Sequence, residues 1–187
     1  MNLQAYRDLF KAILNGEFVQ APYDSESYIN YVKLNHSRMK RWTKQGVLTP
    51  ALKEAIEAIK TPQTWVLITE PWCGDAANSV PYLEKMAALN PNITVEVQLR
   101  DSGSEIDQYL TNGGKSIPKL IARDQAGNDL FTWGPRPSEA QALVQQQKTS
   151  DAKAEDKYAE LLLWYKEDKG ISIQEELIQL LTAIPAV

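Results

Sequence analysis

The run Trp72-Cys73-Gly74-Asp75-Ala76 places the chain's single cysteine directly before a stretch with helical character. The preceding residues, Thr64 to Thr69, form an apolar, β-branched run of buried-strand length, and Glu70-Pro71-Trp72 reads as a turn. A sulfur at the start of a helix faces unpaired amide N–H groups and the positive end of the helix dipole, and both favour a thiolate. The chemistry expected of Cys73 is therefore nucleophilic attack by sulfur. Asp75 stands two residues on, and its charge either opposes that thiolate or serves the helix end. A small buried hydrophobe is the competing reading of a lone cysteine.

The elements that must position Cys73 follow from hydrophobic periodicity. Leu3, Tyr6, Leu9, Phe10, Ile13 and Leu14 predict a first helix that Asn15-Gly16 stops. Tyr28, Ile29, Val32, Met39 and Trp42 predict a second over 26–42, and Thr49-Pro50 starts a third. The strand over Thr64 to Thr69, a helix over 74–89 and an alternating strand ITVEVQL form a βαβ unit, so the two strands are expected to be parallel. A short helix is expected over 103–112, then a hairpin of KLIARD and DLFTW around Gly127-Asn128. Ser138 with Gln141 reads as a capping box opening a helix that continues toward Lys169, and Ser172 with Glu175 reads as the cap of a last helix. The expected order is helices, then β-α-β-α-β-β, then helices, in one α/β domain.

Composition limits the function. A chain of 187 residues with 43% hydrophobic content can bury a core, and its net charge of −4 argues against nucleic acid or an acidic membrane as partner. The N-terminal third is mildly basic and the tail acidic. No signal-peptide pattern and no membrane-length apolar run are visible, so a cytoplasmic, reducing location is expected. One cysteine and one histidine, His36, rule out an internal disulfide and a Cys/His zinc site, and no metal is expected. The basic run around Arg38, Lys40 and Arg41 reads as a solvated helix face with Met39 and Trp42 turned inward, and His36 reads as an exposed helix residue. Tyr158, Leu161 and Trp164 share a helical spacing that suits packing.

Trp72-Cys73-Gly74, Pro81 eight residues past the cysteine, Ile117-Pro118 before a hairpin strand, and Gly134 sixteen residues after Pro118 together resemble the thioredoxin family over about residues 62–147. The resemblance implies a thioredoxin-like three-layer fold, a central mixed sheet flanked by helices. It divides the chain into a helical N-terminal extension (1–60), a core (61–147) and C-terminal helices (148–187). The flanking helices resemble additions carried by a bacterial thioredoxin-like group of uncharacterised function. It also implies a cis-proline at Pro118, facing the sulfur across a groove formed with Trp72, Gly74, Asp75, Ala76, Ile117 and Gly134.

Two positions depart from the family pattern. Ala76 stands where the resolving cysteine would be, and Leu67 where a buried acid would assist it. A dithiol cycle is therefore closed to this chain, and the two losses are consistent, since an unpaired buried acid without a task is destabilising. What remains is a monothiol site needing no cofactor, in which Cys73 attacks a protein disulfide or a mixed disulfide and a low-molecular-weight thiol resolves the intermediate. Monothiol glutaredoxins are similar, and Ser116-Ile117-Pro118 echoes their threonine-valine-proline segment, but their later glycine-glycine-x-x-aspartate motif is absent from WGPRPS. Arg100, Lys119 and Arg136 are the neighbouring cations that an anionic ligand could meet. The alternatives are a redox sensor at Cys73, and a non-catalytic module that binds a peptide at the Pro118 groove.

Overall fold

The computed structural model describes residues 1–184. Three helices lead the chain: α1 (Leu3–Leu14), α2 (Glu26–Gln45) and α3 (Pro50–Glu57). Asn2 caps α1 through its side-chain oxygen, and Thr49 caps α3 with proline in the first turn. The sheet follows, with β1 (Gln63–Thr69), α4 (Gly74–Leu89), β2 (Ile93–Leu99), β3 (Lys119–Arg123) and β4 (Asp129–Trp133). Its strand order is β2-β1-β3-β4. β1 pairs in parallel with β2 and antiparallel with β3, so Leu67 lies between Val97 and Leu120. The hairpin of β3 and β4 closes antiparallel, with an irregularity at Ala122 and Arg123. Trp65 to Thr69 are all buried, as an uninterrupted apolar strand in mid-sheet requires.

Helix α4 carries almost no amphipathic signal because it is enclosed on nearly every side. It contacts β2, while α2 and α3 pack against it. Ala76, Ala77, Asn78, Ser79, Val80, Pro81, Tyr82 and Leu83 are consecutively buried. The small side chains at 76–79 admit this close approach, and the one large polar group among them is satisfied. Asn78 accepts the Trp42 indole N–H at 2.8 Å and donates to the Gly74 carbonyl at 2.9 Å.

The structure differs from the sequence expectations in four places. The stretch 103–112 forms only a 3-10 turn over Ile106–Gln108, since Gly103 takes a φ of +78° and Ile106 is the one residue of the turn that is buried. The expected long helix after Gly134 is two helices, α5 (Ser138–Lys148) and α6 (Ala154–Asp168). The intervening Thr149, Ser150 and Asp151 favour turns and caps over helix interiors. Ser138 forms no capping box; its N–H and hydroxyl both donate to Glu176, which also accepts the Trp133 indole N–H at 2.7 Å, so a carboxylate from α7 (Ile171–Thr182) caps α5. Ser172 likewise does not cap α7: Asp168 accepts from both Gly170 and Ser172, and α7 starts at Ile171. No described helix is long and apolar enough to cross a membrane.

Candidate functional site around Cys73

Cys73 is the N-cap residue of α4. Its Sγ accepts from the Ala76 N–H at 3.4 Å and donates to the Ile117 carbonyl at 3.3 Å. The thiol is thus seated between the start of α4 and the Ile117-Pro118 segment, whose peptide bond is cis. A thiol that donates to a carbonyl is held protonated, and the surroundings agree. Burial and the Asp75 carboxylate push the Cys73 pKa up to about 12, against the lowering effect of the Ala76 and Asp75 backbone N–H groups and of Arg136. At 5% exposure, desolvation outweighs the helix N-terminus, and the thiolate expected from position alone is not the resting state.

Asp75 is neither aimed solely at the sulfur nor simply a helix-end charge. It forms an ion pair with Arg136 and accepts the Tyr165 hydroxyl at 2.7 Å. Arg136 also donates to Gln141 at 2.9 Å. Asp75 therefore fastens the start of α4 to the segment after β4 and to α6. A second link crosses from the other side. Arg38 of α2 donates to the Tyr158 hydroxyl and to Asn35, both at 2.8 Å, and Asn35 donates to the Pro71 carbonyl at 3.0 Å. Gly74 lets the Tyr158 hydroxyl sit close, since a Cβ would lie 2.8 Å from its oxygen and push the ring aside.

Beside Cys73 opens a cleft of about 810 Å³. Trp72, Cys73, Gly74, Asp75 and Ile117 line it. Helix α2 adds Tyr28 and Tyr31, and α6 adds Glu155 and Tyr158, so both flanking helical regions wall the cleft without closing it. Tyr28 meets the Trp72 ring edge-to-face at 6.0 Å, and Arg100 lies over the same indole at 4.7 Å. Two donors of these lining residues, Trp72 Nε1 and Arg136 Nε, are buried without a partner among the described residues.

Other expected site residues stand behind the wall. Ala76 contributes its N–H to the sulfur, and Pro118 is buried. Gly134 has a φ of +109°, and a Cβ there would meet the Pro118 carbonyl oxygen at 2.2 Å, so its task is close backbone approach. Gly134→Ala is expected to lower stability by at least about 2 kcal/mol in chemical denaturation, because neither the φ nor the facing carbonyl can relax cheaply. Lys119 is not a cleft cation. It is 7% exposed, with Nζ donating to Thr111 and the Gly134 carbonyl, both at 3.0 Å, and Lys115 occupies the cleft instead. His36 is not simply exposed either, since its Nδ1 is buried without a partner among the described residues.

Sequence reasoning missed the tyrosines that reach the site from distant helices. Tyr158 was assigned to packing alone, and Tyr165 lies 90 residues from its partner Asp75. It also missed Glu70, which is buried at the end of β1, accepts the Tyr23 hydroxyl at 2.7 Å, and has its pKa raised chiefly by burial. The run ITEPW offered one signal, an acid wedged between an apolar strand and a turn.

No curated protein matches the chain. Among solved structures, it is similar to a protein of unknown function from Pseudomonas aeruginosa at 17% identity, over 99% of each chain and with a TM-score of 0.59. It is also similar to an HIV epitope-scaffold at 20% identity, over 99% of this chain and 100% of that one, with a TM-score of 0.56. These likenesses concern the fold. A family model described as Thioredoxin matches residues 21–153, which include α2, the whole sheet and α5, and on that match the chain belongs to the thioredoxin family.

Proposed function

We propose that this protein is a monothiol thioredoxin-fold protein whose Cys73 undergoes thiol-disulfide exchange, or reversible oxidation, with a ligand held in the adjoining cleft. The observation that carries the reading is the sulfur's position at the foot of a cleft whose wall carries the cations Arg100, Lys115 and Arg136, each also paired with an aspartate. A disulfide ligand bearing carboxylates would meet those cations. In the exchange step the Cys73 proton leaves to solvent as the cleft opens, and the sulfur attacks one ligand sulfur. A new S–S bond forms as the old one breaks, and the departing thiolate takes up a proton. With Ala76 in place of a resolving cysteine, a second small thiol from solution attacks the mixed disulfide and restores Cys73. A reducing compartment rich in such thiols suits this cycle.

One observation favours a second reading, a binding module without turnover: the same thiol has its pKa pushed up to about 12. One experiment separates the two. Wild type and Cys73→Ser are incubated with a carboxylate-bearing disulfide such as oxidised glutathione, and the mixed disulfide is followed by mass spectrometry and reversed with free thiol. Exchange is expected in wild type, to be abolished in the variant and to be reversible. Ligand binding of equal strength in both proteins, with no adduct in either, would leave only the binding reading.

A further inference from the structure

A second cavity, of about 330 Å³, lies between α1 and α2 on residues that the Cys73 cleft does not use. Its floor is apolar. Phe10 and Met39 are buried, and the His36 ring meets Phe10 edge-to-face at 5.8 Å. Its rim is cationic, with Arg7 and Lys11 from α1 and Lys40 and Lys44 from α2. Arg7 is engaged by Glu84 of α4, and Lys11 by Asp8. Neither Lys40 nor Lys44 takes part in an ion pair among the described residues. His36 Nδ1 is buried with no partner among the described residues.

A hydrophobic floor, two ammonium groups without an ion-pair partner among the described residues, and the His36 ring line one cavity. A solvated helix face explains exposed lysines, but it does not explain a cavity behind them with a polar atom left unpaired at its side. We propose that this cavity binds a small amphipathic anion, with its apolar body against Phe10 and Met39 and its carboxylate between Lys40 and Lys44, beside the His36 ring. A neutral apolar molecule would leave the two ammonium groups without a counter-charge. A bare inorganic anion would leave the floor empty.

The site carries its own reporter, because His36 is the only histidine. In the free protein its pKa is lowered by burial, then by Lys40 and Lys11. Arg7 and Lys44 add positive charge nearby, while Glu84 and Asp8 are held by Arg7 and Lys11. A bound carboxylate reverses this balance and raises the His36 pKa. As long as the ligand stays a carboxylate, affinity falls as pH rises from the free to the bound pKa of His36 and levels above it.

The test is proton NMR of the His36 ring in the full-length protein, titrated against pH with octanoate, with 1-octanol and with inorganic phosphate. Octanoate is expected to perturb the ring saturably and to raise its pKa by about one unit. The other two probes should have much less effect. Lys40→Gln/Lys44→Gln should weaken octanoate binding by about tenfold or more. An unperturbed ring, an equal response to octanol or to phosphate, or unchanged binding in the double variant would each overturn the proposal. Octanoate should leave the Cys73 alkylation rate unchanged, which keeps this site separate from the thiol cleft.

Discussion

Alkylation of native Cys73 by iodoacetamide is expected to be about two orders of magnitude slower at pH 7 than alkylation of the unfolded chain. The cause is the protonation state. With the pKa pushed up to about 12, the thiolate fraction at neutral pH is on the order of 10⁻⁵, against a few per cent for a free thiol of pKa about 8.5. The more basic thiolate is a better nucleophile by a Brønsted coefficient of about 0.4–0.5, which recovers part of that loss. Burial of the sulfur slows the reagent further. The rate should climb about tenfold per pH unit from pH 7 to 10 without a plateau, as the group stays far below its pKa. Mass spectrometry of the single-thiol protein reads this directly. A plateau below pH 8 would mean that a thiolate is already present at rest and that the Ile117 hydrogen bond does not hold the proton. The profile also bears on mechanism. Desolvation is the largest cause of the shift, so a ligand or motion that lifts α6 from the cleft is the most direct way to activate the sulfur. Tyr158→Ala, which removes the α6 side chain lying on Gly74, should raise the neutral-pH rate.

Much of this site was legible in the sequence, and the illegible part has a common cause. The run TWVLIT announced a buried strand because its pattern is local, and the WCG turn before AANSV placed Cys73 at a helix start for the same reason. Gly134 was legible as a required glycine; that Pro118 is the group it must clear emerged only from the pairing of β3 with β4. Helix position alone argues for a thiolate. Desolvation opposes it, and no spacing in the chain reveals that α2 and α6 bring Tyr28 and Tyr158 to the same cleft as residue 73. The break between α5 and α6 was missed because the surrounding residues are good helix formers, whereas Thr149-Ser150-Asp151 is a weak local signal. His36 read as exposed because its neighbours are charged; the packing of Phe10 from α1 against its ring is a tertiary fact.

Asp75→Ala is expected to destabilise the fold by about 3–5 kcal/mol, since it leaves the Arg136 guanidinium with its charge uncompensated at 17% side-chain exposure. It also strips the Tyr165 hydroxyl of its acceptor. Asp75→Asn should cost less, because an amide oxygen can still accept from either group. Its effect on the sulfur is the more informative. Asp75 is the second-largest cause of the raised Cys73 pKa, so removing its charge lowers that pKa, and the freed Arg136 lowers it further. Arg136→Gln has the opposite sign: it removes a lowering charge and leaves Asp75 unneutralised beside the thiol, so the pKa rises. Both substitutions destabilise, and a merely looser site would hydrate Cys73 and move both pKa values down together. Opposite displacements of the alkylation profile, measured without denaturant, therefore isolate the electrostatic contribution from loosening. The double variant Asp75→Asn/Arg136→Gln should be less destabilised than the sum of the single changes, because neither charge is then buried alone. Strict additivity would mean that the pair does not act as a unit at the head of α4, and that the placement of α6 over Cys73 rests on Tyr158 and Arg38 instead.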